Sequence, residues 1–243
     1  MTKPDFRIFD TADAVAAAVA KHVASVIKAK PQSTLGLATG KTFVPIYREL
    51  VQLHQQGLVS FADAASFNLD EYVGLPANHP ASFRAYMHEH FFAHVDLPRG
   101  AAQLPQTDRD LQSACVAYEH AIADRCGIDL QLLGIGQNGH IGFNEPGSPF
   151  DSRTHVATLT ESTIAANTSD FPPGERPPGR AITMGIGTIL EAREIVLVAI
   201  GPNKAQALLE AFERPQSSQN PASALQSHLR VTVYCDQAAR PSS

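Results

Sequence analysis

The chain has 243 residues, a net charge of −5, and 44% hydrophobic against 18% charged residues, which describes an ordinary globular protein able to bury one sizeable core. Its basic residues are scattered rather than clustered, which argues against a nucleic-acid binder, and no stretch approaches the ~20 apolar residues of a membrane span. The N-terminus lacks the apolar run of a signal peptide and the three cysteines are widely spaced, so we expect a cytoplasmic protein with a small-molecule partner.

Strand-like apolar runs alternate with helix-like patterns along most of the chain, which is typical of βαβ units and a mainly parallel sheet. The buried strands are near-continuous apolar runs, as in Ile-Val-Leu-Val-Ala-Ile from residue 195. No internal repeat or clean linker divides the chain, so we expect one domain over residues 1–243. The predicted strands are 33–38, 65–69, 129–135, 155–159, 194–200 and 230–235, and the predicted helices are 11–29, 42–56, 80–95, 109–126 and 203–212.

Two segments are predicted to be irregular. Residues 168–180 contain four prolines and two glycines, which fits either a linker or a mobile loop near a site; compact domains seldom keep such stretches without a functional reason. We therefore predict a lid within residues 160–180. Residues 237–243 are expected to form a frayed tail.

The most informative motif is Gly-Ile-Gly-Gln-Asn-Gly-His-Ile-Gly-Phe-Asn-Glu-Pro, from residue 134. Its glycines permit positive φ and close backbone approach, while His140 titrates near neutral pH beside Asn138 and Glu145, so the loop can move a proton. The dinucleotide-binding fingerprint matches literally, but it must open a helix, and prolines follow here instead. A plain glycine-rich turn with an incidental histidine is the structural alternative.

A second motif, Leu-Gly-Leu-Ala-Thr-Gly-Lys-Thr from residue 35, runs from a strand into a helix. This places Thr39, Gly40 and Thr42 at a helix N-terminus, where backbone N–H groups favour a phosphate. A Walker A loop would require glycine at the position of Leu35, so a nucleoside triphosphatase is disfavoured. The alternative is an ordinary strand-to-helix turn with Lys41 in solvent.

Charged residues follow two further strands at the edge where open α/β sheets bind ligands. Asp70 and Glu71 end one predicted strand, and because adjacent side chains of an extended chain point to opposite sides, only one should face a pocket. Asp70 is a candidate general base, although either carboxylate also suits a turn cap. Lys204 follows the strand at 195–200, and its ammonium either binds a phosphate or lies in solvent.

Taken together, the motifs at 35–40, 67–76, 134–146 and 183–190 resemble the glucosamine-6-phosphate deaminases, in order and over nearly the whole chain. The resemblance implies a modified doubly wound α/β fold, with a mainly parallel sheet and helices on both faces. It implies conversion of D-glucosamine 6-phosphate and water to fructose 6-phosphate and ammonia, by aldose–ketose isomerisation in amino-sugar catabolism. No metal or organic cofactor is implied.

The resemblance also assigns roles residue by residue. Asp70 would move the proton between C2 and C1, and His140 would assist ring opening, oriented by Asn138 and Glu145. Thr39, Gly40, Thr42 and Lys204 would hold the 6-phosphate.

The chain departs from the family pattern in its charges. Ser169 stands where relatives carry a phosphate-binding arginine, so we predict that Lys41 of the loop, or Arg176 or Arg180 of the lid, supplies the missing charge. His155 and Ala157 stand where allosteric hexamers use basic residues, and the chain ends soon after its last strand. We therefore expect an unregulated monomer. The rivals are a 6-phosphogluconolactonase and a non-catalytic sugar-phosphate sensor.

Overall fold

A seven-stranded parallel sheet forms the centre of the molecule, in a computed structural model that describes residues 4–76 and 78–241. Its strands follow the order β1-β10-β9-β6-β2-β3-β5, and every neighbouring pair is parallel. These strands are β1 (Asp5–Phe9), β2 (Thr34–Leu37), β3 (Ala65–Asn68), β5 (Ala102–Gln103), β6 (Leu130–Gly134), β9 (Ile195–Ala199) and β10 (Val231–Asp236). The predicted mainly parallel α/β fold is confirmed.

Seven α-helices connect or flank the strands among the described residues. They are α1 (Ala12–Ala29), α2 (Val44–Gln55), α3 (Phe83–His90), α4 (Leu111–Asp124), α5 (Glu161–Asn167), α6 (Ile186–Leu190) and α7 (Ala205–Phe212). The first helix illustrates how the sequence forms them. Thr11 caps its N-terminus by accepting a hydrogen bond from the Ala14 amide, and an alanine- and valine-rich stripe is buried against the rest of the core.

A second, three-stranded antiparallel sheet lies beside the first, with the order β4-β8-β7. It contains β4 (Asp70–Tyr72), β7 (His155–Thr158) and β8 (Arg180–Thr183). Sequence analysis predicted the strand at 155–159 but did not assign it to a separate sheet, and it missed β4 and β8. The register places Asp70 opposite Thr183, so this small sheet presents the start of β4 to the glycine-rich loop.

Several element boundaries differ from the sequence predictions. Helix α2 begins at Val44, because residues 41–43 form a turn in which the Phe43 amide donates to the Gly40 carbonyl. The helix predicted over 80–95 is shorter, since α3 ends at His90 and a 3₁₀ turn follows at Phe92–His94. The short elements β1, β5, α5 and α6 were not predicted. They are only two to seven residues long, so they show too little periodicity to be recognised from sequence.

The expected tail is partly described. The Gln237 amide donates to the Phe9 carbonyl, and Ala239 is fully buried, so the chain remains attached to β1 at this point. Ser242 and Ser243 lie outside the described residues.

Four neighbouring strands deliver the predicted functional segments to one edge of the sheet. Strands β9, β6, β2 and β3 are adjacent in that order. Their carboxyl ends lead, respectively, to Lys204, to the glycine-rich loop (residues 134–146), to the loop at residues 38–43 (the Thr39 loop) and to Asp70. The strands β3 and β5 lie on one side of β2, whereas β6 and the later strands β9 and β10 lie on its other side. The gap between β6 and β2 is therefore the topological switch point, where open α/β sheets bind ligands. The fold therefore assembles one site from four distant parts of the sequence.

Candidate active site

A cavity of about 430 Å³ opens at this edge. That volume suits a small metabolite rather than a macromolecule. Its walls are formed by the Thr39 loop, the start of β4, the glycine-rich loop, helix α5 and Lys204. Of the residues predicted for the site, those lining the cavity are Thr39, Gly40, Thr42, Asp70, Asn138, His140 and Lys204.

The glycine-rich loop continues from β6 without starting a helix, as predicted, and folds back on itself. The Gly136 amide donates to the His140 carbonyl, and a Cβ added at Gly136 would lie 2.3 Å from the His140 ring. Only glycine at this position lets the imidazole approach the backbone so closely. Asn144, fully buried, fixes the end of the loop by donating to the carbonyls of Ile141 and Met184.

His140, Asn138 and Glu145 form one hydrogen-bonded group. Asn138 Nδ2 donates to Glu145 Oε2 at 2.9 Å, and Asn138 Oδ1 accepts from the His140 amide at 3.2 Å. His140 Nδ1 lies 3.9 Å from the same Glu145 oxygen, which is too long for a hydrogen bond. Burial lowers the pKa of His140, Glu145 opposes that change, and Lys204 adds to it, so the imidazole is held neutral at pH 7.

Asp70 supplies a buried carboxyl group to the cavity. It is only 6% exposed, and burial together with the neighbouring Glu71 raises its pKa to about 8. Its Oδ2 atom lies 3.6 Å from the position that a Cβ on Gly142 would occupy, so the carboxylate faces the glycine-rich loop. A carboxyl group with a pKa near the working pH is suited to both taking up and returning a proton.

Glu71 points away from the cavity and serves a structural purpose. Its carboxylate accepts hydrogen bonds from the amides of Tyr72, Phe83 and Arg84 at 2.9–3.0 Å, the last two in the first turn of α3. It therefore caps α3 together with Ser82. The prediction that alternation would send only one of Asp70 and Glu71 to the cavity is confirmed.

The Thr39 loop and Lys204 form another wall of the cavity. Gly40 has φ of +109°, which turns the loop before α2, and its carbonyl accepts from the Tyr86 hydroxyl at 2.8 Å. Thr39 and Thr42 line the cavity beside this turn. Lys204, at the start of α7, adds a cation whose pKa is lowered by burial.

The remaining predicted cations do not line the cavity. Lys41 Nζ contacts Ser169 Oγ at 2.8 Å and Asp170 Oδ1 at 3.1 Å, and its side chain is 75% exposed. Arg176 forms an exposed ion pair with Glu161, and Arg180 is exposed at the start of β8. Their contact with a phosphate stays a prediction.

Segment 160–180 covers the cavity through α5 and the residues after it. Asn167 Nδ2 donates to the Tyr72 hydroxyl at 3.0 Å, and the Tyr72 ring packs against Phe83, Phe143 and Phe171. The segment therefore rests on an aromatic cluster. The role of a lid is consistent with this placement and stays a prediction.

Several residues of the site are not among those that the sequence predicts. Thr163, Asn167, Asp170 and Tyr72 all line the cavity. Tyr72 belongs to a motif already singled out, so its proximity to Asp70 in the sequence was a usable signal. The other three lie within segment 160–180, which the sequence predicts as a lid without singling out these side chains.

Within the part of the chain that the structure describes, no helix combines the length and apolar character needed to span a bilayer.

Known proteins share both the sequence and this architecture. The family model described as glucosamine-6-phosphate isomerases/6-phosphogluconolactonase matches residues 9–234. The glucosamine-6-phosphate deaminase of Cellvibrio japonicus is 51% identical over 229 residues, which is 92% of this chain and 87% of that protein. The glucosamine-6-phosphate deaminase of Rhodopirellula baltica is also 51% identical, over 93% of this chain and 91% of that protein.

Solved structures give the same result. A monomeric glucosamine-6-phosphate deaminase superposes with a TM-score of 0.94 and 43% identity, covering 97% of this chain and 98% of that one. The 6-phosphogluconolactonase of Trypanosoma brucei reaches a TM-score of 0.79 at 20% identity over 98% of both chains, which shows the shared fold alone. The chain therefore belongs to the glucosamine-6-phosphate isomerase/6-phosphogluconolactonase family and, within it, to the glucosamine-6-phosphate deaminases.

Proposed function

We propose that this protein converts D-glucosamine 6-phosphate and water into fructose 6-phosphate and ammonia. The observation that carries the proposal is the buried Asp70 side chain, which shares one cavity with a neutral His140 and with Thr39, Thr42 and Lys204. An aldose–ketose isomerisation needs one group to move a proton between neighbouring carbons and another to open the ring. The cavity offers both, on different loops.

The reaction begins with the cyclic substrate, whose C1 hydroxyl proton is removed while the ring oxygen is protonated. We assign this exchange to His140, because burial and Lys204 keep its imidazole neutral and able to accept a proton. Asn138 holds the loop backbone by accepting from the His140 amide, and it binds the Glu145 carboxylate, which lies 3.9 Å from the imidazole.

Asp70 then takes the proton from C2 of the open-chain sugar and returns it to C1. The electron pair of the broken C2–H bond forms an enolamine as the aldehyde oxygen O1 takes up a proton. Protonation at C1, with loss of one proton from the amine nitrogen, then leaves an imine at C2 and a hydroxyl at C1. Water adds to this imine, and the C–N bond breaks to release ammonia and the ketone. Asp70 suits the transfer because its raised pKa makes its protonated and ionised forms comparable in free energy near neutral pH.

The 6-phosphate is assigned to the Thr39 loop. Thr39, Gly40 and Thr42 lie before α2, where amides and the helix dipole favour an anion, and Lys204 supplies a half-buried cation. Lys41 acts on the phosphate through its charge near the loop, since its ammonium is bound by Asp170. Arg176 and Arg180 require movement of the lid to reach the same place.

We further propose that the protein works as a monomer without allosteric activation. Support comes from the structural likeness to a monomeric deaminase and from the uncharged Ala157. Light scattering of the purified protein at catalytic concentrations tests the oligomeric state directly.

The function is tested by a coupled assay of ammonia release from glucosamine 6-phosphate, with fructose 6-phosphate measured in parallel. We expect equal amounts of both products. Hydrolysis of 6-phosphogluconolactone without release of ammonia from the amino sugar would instead assign the chain to the lactonases, and binding without turnover would make it a sensor. Asp70→Asn and His140→Gln are the matched inactive controls.

A further inference from the structure

The Glu145 carboxylate contacts both the glycine-rich loop, which is the catalytic loop of the proposed function, and the predicted lid, segment 160–180. Its Oε2 atom accepts from Asn138 Nδ2 at 2.9 Å and faces His140 Nδ1 at 3.9 Å. Its Oε1 atom accepts a short hydrogen bond from the Thr163 hydroxyl, and the Thr160 hydroxyl oxygen lies 3.4 Å from the same atom. The two carboxylate oxygens therefore contact two different parts of the protein.

This division leaves the His140 imidazole without its expected partner. His140 Nδ1 is buried and lacks a hydrogen bond among the described residues, although the carboxylate stands within 4 Å of it. The charged groups facing the imidazole are Glu145 and Lys204, which act in opposite directions. A small movement of Glu145 toward His140 would complete the hydrogen bond and favour the imidazolium.

Thr163 is placed to prevent that movement. It is 5% exposed in α5, and its hydroxyl also accepts from Thr160 Oγ1 at 3.1 Å, so its own proton is directed toward Glu145. Both threonines lie in segment 160–180, whereas the other partners of the carboxylate lie in the catalytic loop. Movement of α5 therefore changes the contacts of one Glu145 oxygen and spares the other.

Building on the proposed function, we propose that Thr163 is a positioning residue that holds Glu145 away from His140, so that the lid helix sets the protonation of the imidazole that opens the sugar ring. With α5 in the position described, the imidazole is neutral and accepts the C1 hydroxyl proton. When α5 withdraws, Glu145 closes on Nδ1 and stabilises the protonated ring. Lid position and proton transfer are thereby linked through a single hydroxyl.

The test measures the titration of the His140 ring by NMR in the free protein, which requires no turnover. Thr163→Val removes the hydroxyl at nearly constant volume, and we expect it to raise the pKa of His140 by about one unit, since a carboxylate brought closer favours the imidazolium. Thr163→Ser keeps the hydroxyl and should titrate like the wild type. Thr168→Val is the matched control, because its hydroxyl donates to the Ile164 carbonyl and not to Glu145.

The pH dependence of kcat/KM supplies the second readout, and its His140 limb should shift with the NMR titration in Thr163→Val alone. The inference is overturned if Thr163→Val titrates like the wild type, or if Thr163→Ser shifts as far as valine does. Thr163→Ala replaces valine if that variant does not fold. A wild type that releases no ammonia would defeat the proposed function, whereas the NMR shift judges the role of Thr163 independently.

Discussion

Lys41 provides the sharpest test of how this site handles charge. Its ammonium lies 3.1 Å from Asp170, and Asp170 lines the cavity whereas Lys41 does not. Both side chains are substantially exposed, so the ion pair contributes only ~0–1 kcal/mol to folding. Lys41→Ala should therefore leave the protein folded and expose an unneutralised carboxylate to the substrate phosphate.

The magnitude follows from Coulomb's law. Two like unit charges about 7 Å apart repel by ~0.6 kcal/mol in bulk water and ~2.4 kcal/mol at an effective dielectric constant of about 20. A half-exposed carboxylate lies between these limits, and ~1.4 kcal/mol corresponds to roughly a tenfold rise in KM. The effect on kcat should be smaller, because the phosphate is remote from C1 and C2 of the sugar.

The assay is a double-mutant cycle on ammonia release from glucosamine 6-phosphate. Lys41→Ala should raise KM about tenfold, by the Coulomb energy above, whereas the double variant with Asp170→Asn should return close to the wild-type value. The rise should shrink as salt is added. Arg176→Ala is the matched control, since it removes another exposed cation of an ion pair, one that does not line the cavity.

Three outcomes would refute this reasoning. An equal rise in KM with and without the Asp170 carboxylate would show that Lys41 contacts the phosphate directly, as the sequence predicted. A rise with Arg176→Ala or Arg180→Ala in place of Lys41→Ala would assign the charge to the lid. If none of the three variants matters, the Thr39 loop and Lys204 bind the phosphate without further help.

The remaining predictions concern the catalytic groups and regulation. Asp70→Asn should lower turnover by about 10²–10⁴-fold with sugar-phosphate affinity largely kept, and activity within a few-fold of wild type would remove Asp70 from the role of base. Because burial raises the pKa of Asp70 to about 8, kcat/KM should fall as the pH drops below that value. The folded state also retains a proton that the unfolded chain loses near pH 4, so wild-type stability relative to Asp70→Asn should decline between about pH 4 and 8, by at most roughly 6 kcal/mol in urea unfolding; a constant difference over that range would contradict the raised pKa. His140→Gln should slow turnover of the cyclic substrate far more than hydrogen exchange on open-chain fructose 6-phosphate, and equal losses would mean that His140 serves a common step. N-acetylglucosamine 6-phosphate should not activate the protein, since His155 and Ala157 offer no fixed pair of charges; sigmoidal kinetics that become hyperbolic on its addition would contradict this.

The sequence alone located the segments of the chain that carry the candidate catalytic residues. Continuous apolar runs identified the buried strands, and the residues that follow them, from Thr39 to Lys204, necessarily meet at one edge when the strands are parallel. Alternation along an extended chain separated Asp70 from Glu71 before any coordinates were known. These inferences succeed because they depend on local periodicity and chain direction, which the sequence states directly.

Only the tertiary structure decided how these groups are partnered. The second sheet forms from three strands far apart in the chain, and the pairing of Asp70 with Thr183 has no local signal. The contacts of Lys41 with Asp170 and of Glu145 with Thr163 join residues 129 and 18 positions apart. Such contacts arise from packing between elements. The carboxylate that Lys41 neutralises, and the Glu145 oxygen that Thr163 binds, are therefore decided only by where segment 160–180 packs in the fold.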